Sequence, residues 1–273
     1  WPERLAPTMR GVDVAIARTL PELDDRQPVR EIEALYLMAI AHAKRTIYLE
    51  SQYLASRTIA EALASRLVER DGPEIVVVLP EQTEGWLEHK AMDGARLKLL
   101  RLLWRADVHK RFGAFYPVTA AGTAIYAHAK IMVIDDRLLR VGSSNLNNRS
   151  MGFDTECDLA VEVASAADKD ALRKTILSIR HDLLCEHLAV EATVFITALE
   201  AASGSVLKTI ESLRGLGRTL KPFEPSEVAD DDSVLAENEL LDPEQATPGL
   251  TTRLWGRVTR ALLAGPRQGA VGG

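Results

Sequence analysis

"IYAHAKIMVIDDRLLRVGSSNLNNRSMG", residues 125–152, reads as two apolar strands around a tight turn. The first run carries His128 and Lys130, and the second carries Ser143 and Asn145. Polar groups buried without partners are costly, so these four need a reason. Strand side chains alternate between faces, which puts His128 with Lys130 and Ser143 with Asn145. With Asp136 and Arg137 as a two-residue loop, His128 stands opposite Asn145 and Lys130 opposite Ser143. Their Cβ atoms would then be about 5 Å apart. Asp-Arg is a poor match to the Asn-Gly preference of such loops, which leaves a one-residue slip open. Asp135 has the opposite parity, and on parity alone it ties the turn by side-chain to backbone bonds.

Chemically the patch suits phosphate. Lys130 supplies a point charge, and Asn145 and Ser143 donate to non-bridging oxygens. A histidine can attack phosphorus or pass a proton to a leaving oxygen. For a lone histidine on a strand, a polar hairpin without chemistry is the commoner outcome, and the combined pattern is what shifts the balance.

His128-x-Lys130-x4-Asp135-x6-Gly142-Ser143-x-Asn145 resembles the HxKxxxxD…GSxN signature of the phospholipase D superfamily. Six fixed positions at roughly 5% each give about 10⁻⁸ per start by chance. Glu156 falls where that family carries an acid that hydrogen-bonds the catalytic histidine. "TIYLESQYL" (residues 46–54) resembles the family's "IYIENQYF" stretch, and the likeness extends over about residues 1–220. It implies His128, Lys130, Asp135 and Glu156 as catalytic residues, Lys130, Ser143 and Asn145 as phosphate ligands, and no metal or cofactor.

Composition adds limits. A hydrophobic content of 47% and a charged content of 26% describe an ordinary globular chain. Cys157 and Cys185 make neither a disulfide framework nor a metal-ligand spacing. No apolar run reaches the roughly 18 residues of a membrane span, and no signal peptide is visible. The chain starts at Trp1 and not at Met, so it is expected to be part of something longer. Of the net charge of −6, residues 224–244 hold nine acids and no base, while residues 251–267 hold four arginines and no acid. The remainder is nearly neutral and lacks the basic footprint of a nucleic-acid binder.

Strand-like and helix-like segments alternate, predicting an α/β fold: a mixed β-sheet flanked by helices on both faces, with a helical C-terminal extension. Strands are expected over residues 12–19, 46–54, 74–80 and 157–163, beside the 125–145 hairpin. Helices are expected near 29–44, 56–70, 85–104 and 166–188, with more over 191–217. Residues 1–220 form a catalytic half with its motif at 125–156, and residues 221–249 an acidic, mobile linker. Residues 250–273 form a short basic amphipathic helix and tail, suited to an anionic membrane surface or to packing on the parent protein. A second "HAK", at residues 42–44, sits late in a helix without the downstream Asp or GSxN strand. There His42 reads as a helix-end residue favoured by the dipole.

The motif occurs once, whereas the family's double displacement uses two histidines. One attacks the phosphodiester and the other protonates the leaving alcohol, without metal. The partner would be a missing N-terminal half or a second copy of this chain. "WPERLAPTMRGVDVAIART" resembles the start of a second half, which makes His128 the general acid/base; in a homodimer one subunit's His128 would be the nucleophile. "NNRSMGFDTECDLAV" looks more like phospholipases D acting on phosphatidylcholine-type lipids than like cardiolipin synthases. Three readings stand: a phospholipid phosphodiesterase or transphosphatidylase, a cardiolipin-forming or DNA-cleaving relative, and a silent half serving assembly or membrane docking. The expected location is the cytoplasm or the inner face of a membrane.

Overall fold

The computed structural model describes residues 5–23, 26–82, 86–215, 217–224 and Asp242. β1 (Ala15–Leu20), β2 (Val29–Arg30) and α1 (Glu31–His42) come first, followed by β3 (Thr46–Ser51) and α2 (Arg57–Leu67). β4 (Glu74–Val78), α3 (Trp86–Ala106) and β5 (Phe112–Val118) lead to the hairpin of β6 (Lys130–Ile134) and β7 (Leu138–Gly142). Then come α4 (Asn148–Gly152), β8 (Glu156–Glu162), α5 (Lys169–Leu188), α6 (Ala192–Ala201), α7 (Val206–Leu213) and β9 (Thr219–Pro222). Among the described residues, one sheet runs β2-β1-β8-β7-β6-β3-β4-β5-β9. Its β3–β4 and β4–β5 pairs are parallel and the others antiparallel, so the sheet is mixed, as predicted.

Both faces carry helices. Ile32, Tyr36 and Ile40 of α1, Ile59 and Leu63 of α2, and Leu100 and Leu103 of α3 pack with Leu49, Met132 and Ile134 on one face. Leu172, Ile176 and Leu184 of α5, Phe195 of α6 and Ile210 of α7 pack with Tyr48, Val76 and Val133 on the other. β3 and β4 are therefore apolar on both sides, as strands covered on both faces must be. Ser56 caps α2 and Asp168 caps α5, each side chain accepting from the amide three residues on. On the second face one row across β1, β8 and β7 is bare: Ile16, Leu159 and Val141, paired in register, are 62%, 48% and 44% exposed. No described helix is long and apolar enough to cross a membrane.

The hairpin differs from the sequence expectation by one residue. Ile134 pairs with Leu138 and Ile131 with Val141, so the turn holds three residues, Asp135 to Arg137. Extending that register sets Lys130 across from Gly142 instead of Ser143. The first strand also starts at Lys130, which leaves His128 two residues before it. The cause is Asp135, whose backbone is left-handed (φ 55°). Its carboxylate accepts from the amides of Lys44 (2.9 Å), Arg45 (2.7 Å) and Thr46 (2.8 Å). The acidic stretch placed from residue 221 begins inside the fold, since β9 ends at Pro222 and Phe223 is buried. Asp242 within it is also buried, accepting from the amides of Asn148 (3.0 Å) and Arg149 (2.7 Å). The basic helix expected over 250–263 lies outside the described residues.

Candidate active site

Except for Asp135, the motif residues gather where β6 begins and β7 and β8 end or start. Lys130 opens β6 beside Ser51, the last residue of β3. Across the hairpin, Gly142 adjoins Asp158 of β8, and a Cβ at position 142 would overlap the Asp158 carboxylate. Glycine is needed there because that carboxylate turns across the strand to Arg140. Arg140 and Asp158 form an ion pair with both side chains fully buried. Ser144 Oγ donates to the same carboxylate at 2.7 Å, and the Arg140 guanidinium lies 4.9 Å from the Tyr36 ring centroid. This network is a floor under the GSxN turn.

Above it, Glu156 acts as a clamp. One carboxylate oxygen accepts from Ser143 Oγ and the other from Ser150 Oγ at 2.6 Å. Ser150 Oγ accepts in turn from the Asn145 amide at 3.0 Å. The Ser143–Asn145 turn is thus fixed from both ends. The side-chain oxygen of Asn145 is buried without a partner among the described residues. The expected bond from His128 to Glu156 is not formed. His128 precedes the strand and is exposed, and its ring lies instead against Tyr126, with centroids 6.2 Å apart and planes at 25°. Ser143, one residue past β7, takes the carboxylate.

Lys130 is held from below. Its ammonium donates to Gln52 Oε1 at 3.2 Å and to the main-chain oxygen of His128 at 3.3 Å. Burial draws its pKa below the ordinary lysine value, with the Glu156 carboxylate opposing that and Arg140 adding to it. The Glu156 carboxylate therefore favours the Lys130 ammonium.

Asp135 stands apart, beyond the far end of β6, about 17 Å along the strand from Lys130. Its oxygens are occupied by backbone amides. Removing a buried acceptor shared by three donors is expected to cost about 2–3 kcal/mol. Urea unfolding of Asp135→Ala should show that loss, with Asp135→Asn intermediate, because Asn tolerates the left-handed backbone and keeps one acceptor. A wild-type midpoint for Asp135→Ala would refute this role.

Three other histidines are engaged elsewhere. His42 bonds Met38 O at the end of α1, His181 packs on Phe195, and His187 pairs with Glu50 on the opposite face. A cavity of about 340 Å³ beside α4 is lined by Arg30, Arg57, Asn148, Met151 and Phe153, but by none of the four motif side chains. Among the described residues no group of acids, histidines or cysteines could hold a metal ion. Sequence reasoning missed Gln52, Tyr126, Ser150 and the Arg140–Asp158 pair. The signals present were the polar "SQY" after an apolar strand, the Arg and Asp within the strand segments, and the family-like stretches that contain Gln52 and Ser150.

Residues 36–176 match the family described as "Cardiolipin synthase, PLD-like domain". Phospholipase D A of Dictyostelium discoideum is 26% identical over 172 residues, 51% of this chain and 14% of that protein. Phospholipase D of Phytophthora infestans is 27% identical over 180 residues, 52% of this chain and 10% of that protein. The chain thus spans a small part of these relatives. A phospholipase D family member from Salmonella typhimurium, Nuc, has a similar structure (TM-score 0.44, 16% identity), covering 62% of this chain and 92% of its own.

Proposed function

The chain belongs to the phospholipase D superfamily, and from that premise we propose that it is one half of a phosphodiesterase or transphosphatidylase acting on phospholipids. The observation that carries this reading is the placement of His128 and Lys130 at the head of β6, the Lys130 ammonium on the His128 carbonyl, with the clamped Ser143–Asn145 turn directly after the paired strand β7. A histidine of the other half attacks phosphorus, forming a P–N bond as the P–O bond to the head-group alcohol breaks. His128, protonated, gives its proton to that departing oxygen. Water or a second alcohol then attacks phosphorus, His128 takes its proton, and the P–N bond breaks. Lys130 neutralises charge on the non-bridging oxygens throughout. Asp135 takes no part, and Glu156 acts by fixing Ser143 and Asn145.

The bare row of Ile16, Leu159 and Val141 supports a second phospholipase D-like half, since contiguous exposed apolar surface marks an interaction site. The exposure of His128 fits the same picture.

The test is product analysis. Phosphatidylcholine vesicles, with and without added ethanol, are incubated with the chain alone and with a motif-bearing upstream half. Phosphatidate, and phosphatidylethanol when ethanol is present, are expected from the pair, with the monomeric chain nearly inactive. Cardiolipin from phosphatidylglycerol would point instead to the synthase reading, and nicked plasmid to a nuclease. No turnover of any of these by the pair would leave the silent-half reading.

A further inference from the structure

Gln52 has a hydrogen-bond arrangement that the reading above does not use. It lies one residue beyond β3, whose last residue pairs with Lys130, and it is only 9% exposed. An ammonium can donate but not accept. The Lys130 contact therefore obliges the Gln52 amide to turn its oxygen toward Nζ. The amide nitrogen then faces two phenols, donating to Tyr53 and Tyr126 hydroxyls, each at 2.8 Å. Both ends of the Gln52 side chain are thereby committed.

The donor count at Lys130 follows. Of its three N–H groups, one goes to Gln52 and one to the His128 carbonyl, which leaves one for a ligand. Tyr126, held by Gln52, lies against the His128 ring. One amide thus links the two groups that the chemistry needs: its oxygen directs the Lys130 ammonium, and its nitrogen fixes the phenol that flanks the imidazole.

We propose that Gln52 is a positioning residue for phosphate chemistry at this site, orienting Lys130 through its carbonyl and the plane of His128 through Tyr126. The inference rests on the phosphodiester reading, and two changes at position 52 separate it from a packing role. Leucine removes an acceptor from a half-buried ammonium and disfavours its charge. Glutamate keeps the shape and the acceptor while adding a charge that favours the ammonium, but it cannot donate to the phenols.

The experiment follows inorganic phosphate binding to the full chain by phosphorus NMR as a function of pH. Wild type should bind, losing affinity as Lys130 deprotonates at alkaline pH, and Lys130→Ala should not bind. Gln52→Leu should weaken binding about tenfold, the scale of one lost hydrogen bond to a charged group, and move the alkaline limb down. Gln52→Glu should move that limb up. Tyr126→Phe, which keeps the ring but not the hydroxyl, should weaken binding less than Gln52→Leu and leave the limb in place. If Lys130→Ala abolishes binding while Gln52→Leu matches wild type in affinity and limb, Gln52 has no positioning role and the phosphate site stands. If Lys130→Ala binds like wild type, the phosphate site falls and this inference with it. Should Gln52→Leu fail to fold, the near-isosteric Gln52→Glu decides, and an unmoved limb overturns the proposal.

Discussion

In the assembled enzyme, His128→Ala lowers turnover of a phosphodiester with an alkyl leaving group by about 10²–10⁴-fold, the usual contribution of a positioned general acid. On the matching p-nitrophenyl ester the same variant should release the first equivalent of nitrophenolate almost normally, while later turnovers slow because His128 also activates the attacking water. The difference follows from the general-acid role proposed for His128. An alkoxide leaves phosphorus slowly unless it is protonated as the P–O bond breaks, whereas nitrophenolate leaves as the anion. His128 is exposed and flanked by Tyr126, with no carboxylate on its ring, so it is free to meet a leaving oxygen brought by the substrate. Were His128 the attacking group, both esters would lose activity alike, because no P–N bond could form in either. Equal loss of the first-turnover release on the two substrates would therefore transfer the nucleophile to this chain and favour a homodimer. Full activity on the alkyl ester would remove His128 from the chemistry altogether.

The fold was legible because its signals are local. "EIVVVLP" is apolar on both faces and bounded by Gly-Pro and Pro, and it became β4, covered on both sides. The apolar alternation of residues 130–134 and 138–142 gave the hairpin, and Ser56 and Asp168 set helix starts. β5 escaped because Gly113 and Pro117 weaken its strand pattern, and pairing with β4 and β9 supplied what propensity withheld. The register slipped because the turn is set by a distant partner. Asp135 is drawn left-handed by the amides of residues 44–46, some 90 positions away in sequence, and no local pattern reports that.

The site was legible to the same extent. Spacing placed His128 and Lys130 near Ser143 and Asn145, since a hairpin joins them whichever register it takes. It could not tell which oxygen each donor meets. Glu156 was assigned to the imidazole, yet the strand end at Gly142 puts Ser143 in its reach and Ser150 closes the other side. Gln52 was invisible for a similar reason: two of its three partners, Tyr126 and Lys130, lie more than 70 positions downstream.

The buried pair beneath the site carries the largest expected effect on stability. Asp158→Ala should lower the unfolding free energy by about 3–5 kcal/mol, the cost of leaving one member of a buried ion pair without its partner. Arg140 would keep its charge with no exposure to water, and Ser144 Oγ and the Ser144 amide would lose an acceptor. Gly142→Ala should approach the same loss, because its Cβ overlaps the Asp158 carboxylate and forces it off Arg140. The pair itself contributes less than its breakage suggests, since both ions were desolvated to form it. Arg140→Met with Asp158→Leu should therefore recover much of the stability that Asp158→Ala alone removes. The double variant would still lack the anchor that holds Ser144, so the turn carrying Ser143 and Asn145 should loosen and phosphate binding should fall while the fold survives. Calorimetric unfolding of the single and double variants, with phosphate binding measured on each, separates the two roles. A double variant as unstable as Asp158→Ala would show that the charges stabilise the fold outright, and one that binds phosphate like wild type would show that the turn needs no floor.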